Sequence, residues 1–379
     1  MNTKTLSNLS AKVNSLVLTL ASILPFVGHA TAQTIFWSGK DVYVGSGEAL
    51  WYQPKLAGDE DGNFAVVGLD SGTTLGPLAY WTGRNPWNET SLDGIGNNQE
   101  YALGVSPSVA IANSQSYVTY EAAVEIHQGG QRDGAALWSH LAVFNLPDIS
   151  SSLTFSDGSE YDTGYNSSVA VDPWSWGYGS TSIEGAQAEV VEVHQAAPGV
   201  SALWYHVGIL TLPASGGPTL TWGPSYRFDQ GNLASVTVCV GTVIEVHEGE
   251  PGTLWYSVGT VNGYPSGSST TITWTGSTRY DSGYAPSVAC DQIDAHVVEV
   301  HQATSPAAGE SSALWYHVAP YTTTQVGWTP AQQYDTGCNP TVAFAYTLGD
   351  SPQYLAETHS GACGEVGPLF YDYGMFTVP

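Results

Sequence analysis

A two-part phrase recurs along the chain and constrains its fold more than any other feature. The second part reads AAVEIHQ…ALWSHLAVF from Ala122, AEVVEVHQ…ALWYHVGIL from Ala188, TVIEVHE…TLWYSVGTV from Thr242 and HVVEVHQ…ALWYHVAPY from His296. A weaker copy, YLAETHS…GPLFYDYG, starts at Tyr354. The first part reads EYALGVSPSVAIA from Glu100, EYDTGYNSSVAVD from Glu160, RFDQGNLASVTVCV from Arg227, RYDSGYAPSVACD from Arg279 and QYDTGCNPTVAFA from Gln333. Its glycines, Gly104, Gly164, Gly231, Gly283 and Gly337, are 60, 67, 52 and 54 residues apart. A period of about 50 to 65 residues holding four short strands is the signature of propeller blades.

Each unit supplies an SVAVD-like, a VVEVHQ-like, an ALWYHVG-like and an LTWGPSYRFD-like strand, rich in Val, Ile, Thr, Tyr and Trp. Gly, Pro, Asp and Ser fill the gaps, and 43 Gly with 21 Pro leave little room for long helices. Loops between the second and third strands vary, as in QAAPGVSA and QATSPAAGESSA, and such insertions belong on one exposed face. The last unit stops after its third strand. The segment TIFWSGKDVYVG near the N-terminus matches the fourth-strand phrase TITWTGSTRYDSG, with Trp37 and Tyr43 spaced as Trp274 and Tyr280. This segment is expected to close the ring and remove two unpaired sheet edges. ALWYQPKLA, NFAVVGLDS, GPLAYWTGR and the stretch ending at EYALG read as four strands of a degenerate unit. The expected fold is all-β, a six-bladed β-propeller over residues 33–379. The alternative is a five-bladed ring with residues 46–105 as an appendage.

Residues 1–32 read as a secretory signal peptide. Lys4 and Lys12 precede an apolar stretch from Leu16 to Val27, and Ala30-Thr31-Ala32 is a small-x-small cleavage site. The expected location is therefore extracellular, secreted or at the cell surface. No apolar run in the mature chain reaches the roughly 18 residues of a transmembrane segment. With 34 acidic and 8 basic residues, a nucleic-acid partner is not expected. The sequence sets no oligomeric state.

Export permits disulfides. Cys338 lies in the turn before the first strand of the last unit and Cys363 in the loop after its second strand, so a bridge between them is expected. Cys239 and Cys290 end the first strands of neighbouring units. A bridge there requires their Cα atoms to lie within about 7 Å.

Alternation in the second strand puts Glu192 and His194 on one face. Glu125/His127, Glu245/His247, Glu299/His301 and Glu357/His359 repeat the pair, while the degenerate unit offers Gly68 and Asp70. One reading makes the five histidines His127, His194, His247, His301 and His359 ligand-binding. The favoured reading is structural, because a polar group buried between blades must find a partner. Asp162, Asp229, Asp281 and Asp335 precede first strands, and an Asp–His hydrogen bond near a packed Trp would staple each blade. On the third strand stand Trp138, Trp204, Trp255, Trp315 and Phe370, with His140, His206, Ser257, His317 and Asp372 two positions on. They would pack blades, or serve as platforms on which sugars stack beside hydrogen-bonding side chains.

No cofactor and no metal is expected, with calcium at an acidic turn as the weaker alternative. Histidines spread round a ring cannot share one ion. Asp59-Glu60-Asp61-Gly62-Asn63 resembles the start of a calcium loop, but position 12 is Asp70 rather than Glu, so an exposed acidic turn is expected. No G-x-S-x-G or H-E-x-x-H motif occurs, and no catalytic residue is assigned. Glu184, Glu250, Asp294 and Glu310 are unique to irregular inserts, but uniqueness alone does not make them catalytic.

The phrase YDSGYAPSVA…VVEVHQ…ALWYHVG resembles that of secreted, mostly bacterial repeat proteins, over about residues 100–375. The resemblance implies a propeller-like repeat domain, sometimes attached to enzyme domains, without a settled activity. The LWY strand is more distantly similar to the LWH strand of bacterial propeller lectins that bind fucose. The expectation that combines these readings is lectin-like recognition of glycans or extracellular polysaccharide at repeated inter-blade sites. A polysaccharide hydrolase or lyase and a structural matrix protein are the alternatives.

Overall fold

Alternating β-branched and aromatic residues, broken every few positions by glycine, proline or aspartate, give short antiparallel strands, and among the described residues none is helical. The computed structural model describes residues 34–38, 41–42, 52–58, 63–69, 76–84, 93–94, 99–112, 120–129, 136–145, 153–172, 186–212, 217–263, 270–291, 294–345, 353–364 and 367–376. The leader, residues 59–62 of the acidic turn, and Glu184 lie outside them.

One unit shows the plan. Tyr165–Val171 pairs with Ala186–Ala197, which pairs with Val200–Leu212. Thr219–Trp222 and Tyr226–Gln230 then line up along the far edge. The next unit repeats the order with Asn232–Cys239, Thr242–Glu248, Leu254–Val261, Ile272–Trp274 and Thr278–Asp281. Gln99–Ala112 and Gln332–Ala345 each form the outer strand of one unit and run on as the inner strand of the next. The degenerate stretch follows the plan too, through Tyr52–Gly58, Asn63–Leu69, Gly76–Arg84 and the start of Gln99–Ala112.

At the chain ends, Phe36–Trp37 and Asp41–Val42 pair with Leu369–Phe376, as the matching phrase predicts. The seat is specific. Trp37 stacks on Tyr334 at 4.7 Å, as Trp328 stacks on Tyr280 and Trp222 on Tyr161, both at 4.8 Å. The Ile35 N–H donates to the Tyr316 hydroxyl at 3.1 Å, as Ile272 does to Tyr205 at 3.0 Å.

The inner strands touch one another in succession, and Gln332–Ala345 returns to Tyr52–Gly58. Side-chain hydroxyls tie them together. The N–H groups of Val169, Val236, Val288, Val342 and Leu56 donate to Ser108, Ser168, Ser235, Ser287 and Thr341 at 3.1 to 3.4 Å. Apolar clusters lie between successive units. One joins Val124 and Ile126 to Val169 and Val190, and another joins Val193 and Tyr205 to Val236 and Val243. Each sheet is thus covered on both faces, so His296–Gln302 is buried at every position.

Both cysteine pairs form disulfides. Cys338–Cys363 spans 5.2 Å between Cα atoms and Cys239–Cys290 spans 6.3 Å, inside the geometric limit. The latter cross-links two adjacent inner strands.

Candidate functional site

The densest polar chemistry among the described residues lies between units. On each VVEVHQ-like strand the Glu and His side chains emerge on the face turned toward the preceding unit. His194 Nδ1 lies 3.0 Å from Glu192, and His247, His301 and His359 lie 3.0, 3.0 and 2.9 Å from Glu245, Glu299 and Glu357. His127 lies 3.2 Å from Glu125. All five carboxylates and all five rings are buried. The repeated glycine explains how the rings fit. A Cβ on Gly104, Gly164, Gly231, Gly283 or Gly337 would collide with Cδ2 of the second-strand His of its unit.

The expected Asp–His hydrogen bond is present, but it crosses between units. Asp162 sits on the outer strand of one unit and accepts from His206 Nε2 of the next at 2.7 Å, with His194 Nε2 at 3.8 Å. Asp281 likewise meets His317 at 2.8 Å, Asp335 meets His359 at 3.1 Å, and Asp229 accepts from the Ser257 hydroxyl at 3.2 Å. Where the phrase reads EYALG, Ala102 replaces the aspartate. The third-strand histidines also hold the outer strand of their own unit. His140 and His206 donate from Nδ1 to the Ser156 and Gly223 carbonyls at 2.8 Å, and His317 to Thr329 at 2.5 Å. His206 and His317 therefore face an acceptor at each nitrogen.

These contacts set the electrostatics. Burial disfavours the charged form of His194, His247 and His301, but the charge and hydrogen bond of the neighbouring Glu, with the charge of the facing Asp, outweigh it. All three rings are held above their ordinary value. Glu245 is raised, because burial exceeds the pull of His247. For Asp162 burial acts upward, yet the Thr163 N–H and His206 bring it below its ordinary value. The hydroxyls of Tyr101, Tyr161, Tyr280 and Tyr334 stand at the edge of hydrogen-bonding reach of Glu125, Glu192, Glu299 and Glu357, without a full bond. Burial first, and those carboxylates second, push the phenols well above their ordinary value. Asp162, His194 and His206, and likewise Asp281, His301 and His317, are close enough together to bracket a cation. His206 and His317 spend both ring nitrogens on Asp and backbone oxygens, and His194 and His301 spend Nδ1 on Glu192 and Glu299.

The sequence-predicted residues thus separate into two sets. His127, His194, His247, His301, His359, His140, His206 and His317 are buried, at 7% exposure or less. Trp138, Trp204, Trp255 and Trp315 lie directly opposite second-strand histidines and keep part of their surface open. The matching positions in the degenerate unit differ from Gly68 and Asp70. Pairing of Lys55 with Val67 places Val66 at the Glu position and Gly68 at the His position, two residues earlier. The aligned bulge sets this register, and the sequence pattern alone does not fix it.

Sequence reasoning missed two groups. At Gln195, Glu248 and Gln302 the residue after the second-strand His reaches the next unit. Gln195 and Gln302 accept from the N–H groups of Leu233 and Asn339 at 3.4 and 2.7 Å. Glu248 accepts from Ala285, while burial raises its pKa. The second group is Lys55 and its surroundings at one mouth of the central channel. Aligning QPKLA with SPSVA would have found it.

No protein-family model matches the chain, and no curated protein matches it. Among solved structures, a protein of unknown function from Dyadobacter fermentans superposes with a TM-score of 0.52 at 9% identity, over 91% of this chain and 99% of that one. The parainfluenza virus 5 hemagglutinin-neuraminidase ectodomain gives 0.45 at 7% identity, covering 89% and 86% of the two chains. An α-L-arabinofuranosidase of Fusarium graminearum gives 0.44 at 9% identity, covering 90% and 97%. At these identities likeness concerns fold alone, and only the first score supports a shared one.

Proposed function

We propose that this chain is a secreted, six-bladed β-propeller that recognises carbohydrate without transforming it. The blade count rests on six bulged inner strands in mutual contact and on six interfacial apolar clusters. Two disulfides suit an oxidising compartment.

The observation that carries the recognition reading is where the repeat spends its chemistry. The recurring Glu, His and Asp side chains bond to one another inside blade interfaces, which withdraws them from acid, base or nucleophile duty. The third-strand indoles Trp138, Trp204, Trp255 and Trp315 stay partly open, whereas the equally half-buried Trp222, Trp274 and Trp328 are stacked on Tyr161, Phe228 and Tyr280. A flat apolar ring suits the C–H face of a sugar, and repetition lets weak sites act together. In this reading the buried histidines are positioning residues that hold the strand behind each indole.

A glycan array probed with residues 33–379, with and without calcium, tests the proposal. Saturable binding to a related set of glycans is expected, and Trp204→Ala should weaken it without changing the melting temperature by more than a few degrees. Silence across the array would overturn the reading, as would turnover of a bound polysaccharide.

A further inference from the structure

The inner strands open the central channel with one repeated device. Gln53, Ser106, Asn166, Leu233, Ala285 and Asn339 occupy equivalent positions, each at a bulge, with φ between 48° and 53°. Asn tolerates this left-handed conformation, whereas Leu, Ala and Gln give up about 1 kcal/mol or more in it. The six residues line a cavity of about 80 Å³ at the channel mouth. Strained backbone that recurs around a single cavity suggests a site.

Two positions after the strained residue, five strands carry Ser108, Ser168, Ser235, Ser287 and Thr341, and their hydroxyls form the hydrogen-bonded hoop described above. The remaining strand carries Lys55, which lines the mouth. A serine there would accept from the Val109 N–H and complete the hoop, so lysine gives up a bond that the other strands make. Lys55 is also isolated electrostatically. The chain has 34 acidic residues, yet among the described residues none pairs with this ammonium. Its surroundings instead offer the Gln53 and Asn339 amides, while the Ser106 hydroxyl donates to Asn166 at 3.5 Å and the Asn166 amide donates to Gln195 at 2.6 Å. Burial without a counter-charge pushes the ammonium down to about 8.

We propose that this mouth binds the carboxylate of a small ligand, with Lys55 as its counter-ion and Gln53 and Asn339 as hydrogen-bond donors. The size fits a carboxylate and the atoms next to it. An anion supplies what the cavity lacks, since a cation desolvated alone is unstable and one paired and hydrogen-bonded is not. The asymmetry matters because five of the six strands cannot supply the charge, so the site is single and lies on the axis. This inference does not depend on the glycan reading, which rests on indoles between blades.

Calorimetric titration of residues 33–379 with glucuronate, acetate and glucose tests it, beside the Lys55→Ser variant. Glucuronate and acetate should bind with one site per chain, and glucose at least tenfold more weakly. Lys55→Ser should weaken both carboxylates at least tenfold and should fold at least as stably as the parent, because it restores the hoop. Lys55→Gln should lose binding as well, through loss of charge at nearly constant size. Absence of carboxylate binding overturns the proposal, as does equal binding of glucose or unchanged binding by both variants. None of these results bears on whether Trp204→Ala abolishes glycan capture, so the two readings fail separately.

Discussion

Two kinds of interface hold the units together. Where a phrase-bearing unit meets its predecessor, Glu299 and His301 face Asp281, Tyr280 and His317 in a buried polar network. Where the degenerate unit meets the last one, Phe64, Val66 and Ala79 pack on Ala356, Leu369 and Tyr371. Val66 occupies the Glu position there and Gly68 the His position. The same ring therefore accepts a salt-bridged and an apolar solution at equivalent places. Closing the ring needs buried area, which either interface supplies, and the polar network adds directional demands that only one arrangement of neighbours meets. Buried charge of this kind rarely raises net stability over a well-packed apolar alternative, yet breaking half of it is costly.

That asymmetry gives the largest expected effect. His301→Ala leaves Glu299 buried beside Tyr280 with its charge uncompensated and opens a cavity against Gly283. We expect a loss of about 3–5 kcal/mol in chemical unfolding. A loss below about 1 kcal/mol would mean that the pair is already neutral or hydrated, and would remove the distinction between the interfaces.

The converse change sharpens the comparison. Glu299→Leu combined with His301→Leu turns the polar face toward the apolar solution of Val66 while keeping the volume nearly constant. His317 and Asp281 remain bonded to each other at 2.8 Å. The double variant should lie within about 1.5 kcal/mol of the parent, well above His301→Ala. If it is as damaged as the single variant, the network contributes something that packing cannot replace.

Much of this was legible in the sequence because it is periodic. The strand order, the N-terminal strand matched through Trp37 and the Cys338–Cys363 pair follow from the repeat and its spacing, whereas the Cys239–Cys290 bridge depended on a distance that only the structure supplies. The shared face of Glu192 and His194 follows from strict alternation. The parts that were not legible join different units. Asp162 was expected to bond the second-strand His, but the shorter contact is to His206 on the third strand. The Tyr205 hydroxyl that receives Ile272, and the Gln302 oxygen that receives Asn339, reach into the following unit. Such contacts depend on the angle between adjacent sheets, and a single strand's pattern does not carry that angle. The Val66 register was missed for a related reason. The degenerate strand is apolar on both faces, so its alternation does not show which residue stands opposite Lys55.

The smallest expected effect is a pH dependence, and it bears on the polar interface alone. Burial pulls the His301 proton affinity down, while Glu299 and Asp281 push it up by more, so the folded chain binds that proton more tightly than the unfolded one. His194 and His247 behave alike, through Glu192 with Asp162 and Glu245 with Asp229. A group raised in this way stabilises the fold fully below its unfolded value of about 6.5, and the contribution is lost as pH rises through the folded value. Among the facing carboxylates, Asp162 is held below its ordinary value and so away from this window, while burial raises Glu245 toward it. Unfolding free energies of the parent and of the Glu299→Leu, His301→Leu double variant, measured between pH 6 and pH 8.5, isolate the term. General repulsion in a chain of formal charge −26 acts on both proteins almost equally. The parent's advantage over the variant should shrink as pH rises. A constant difference would mean that His301 gains no proton affinity on folding, and the polar interface would then differ from the apolar one in shape but not in charge.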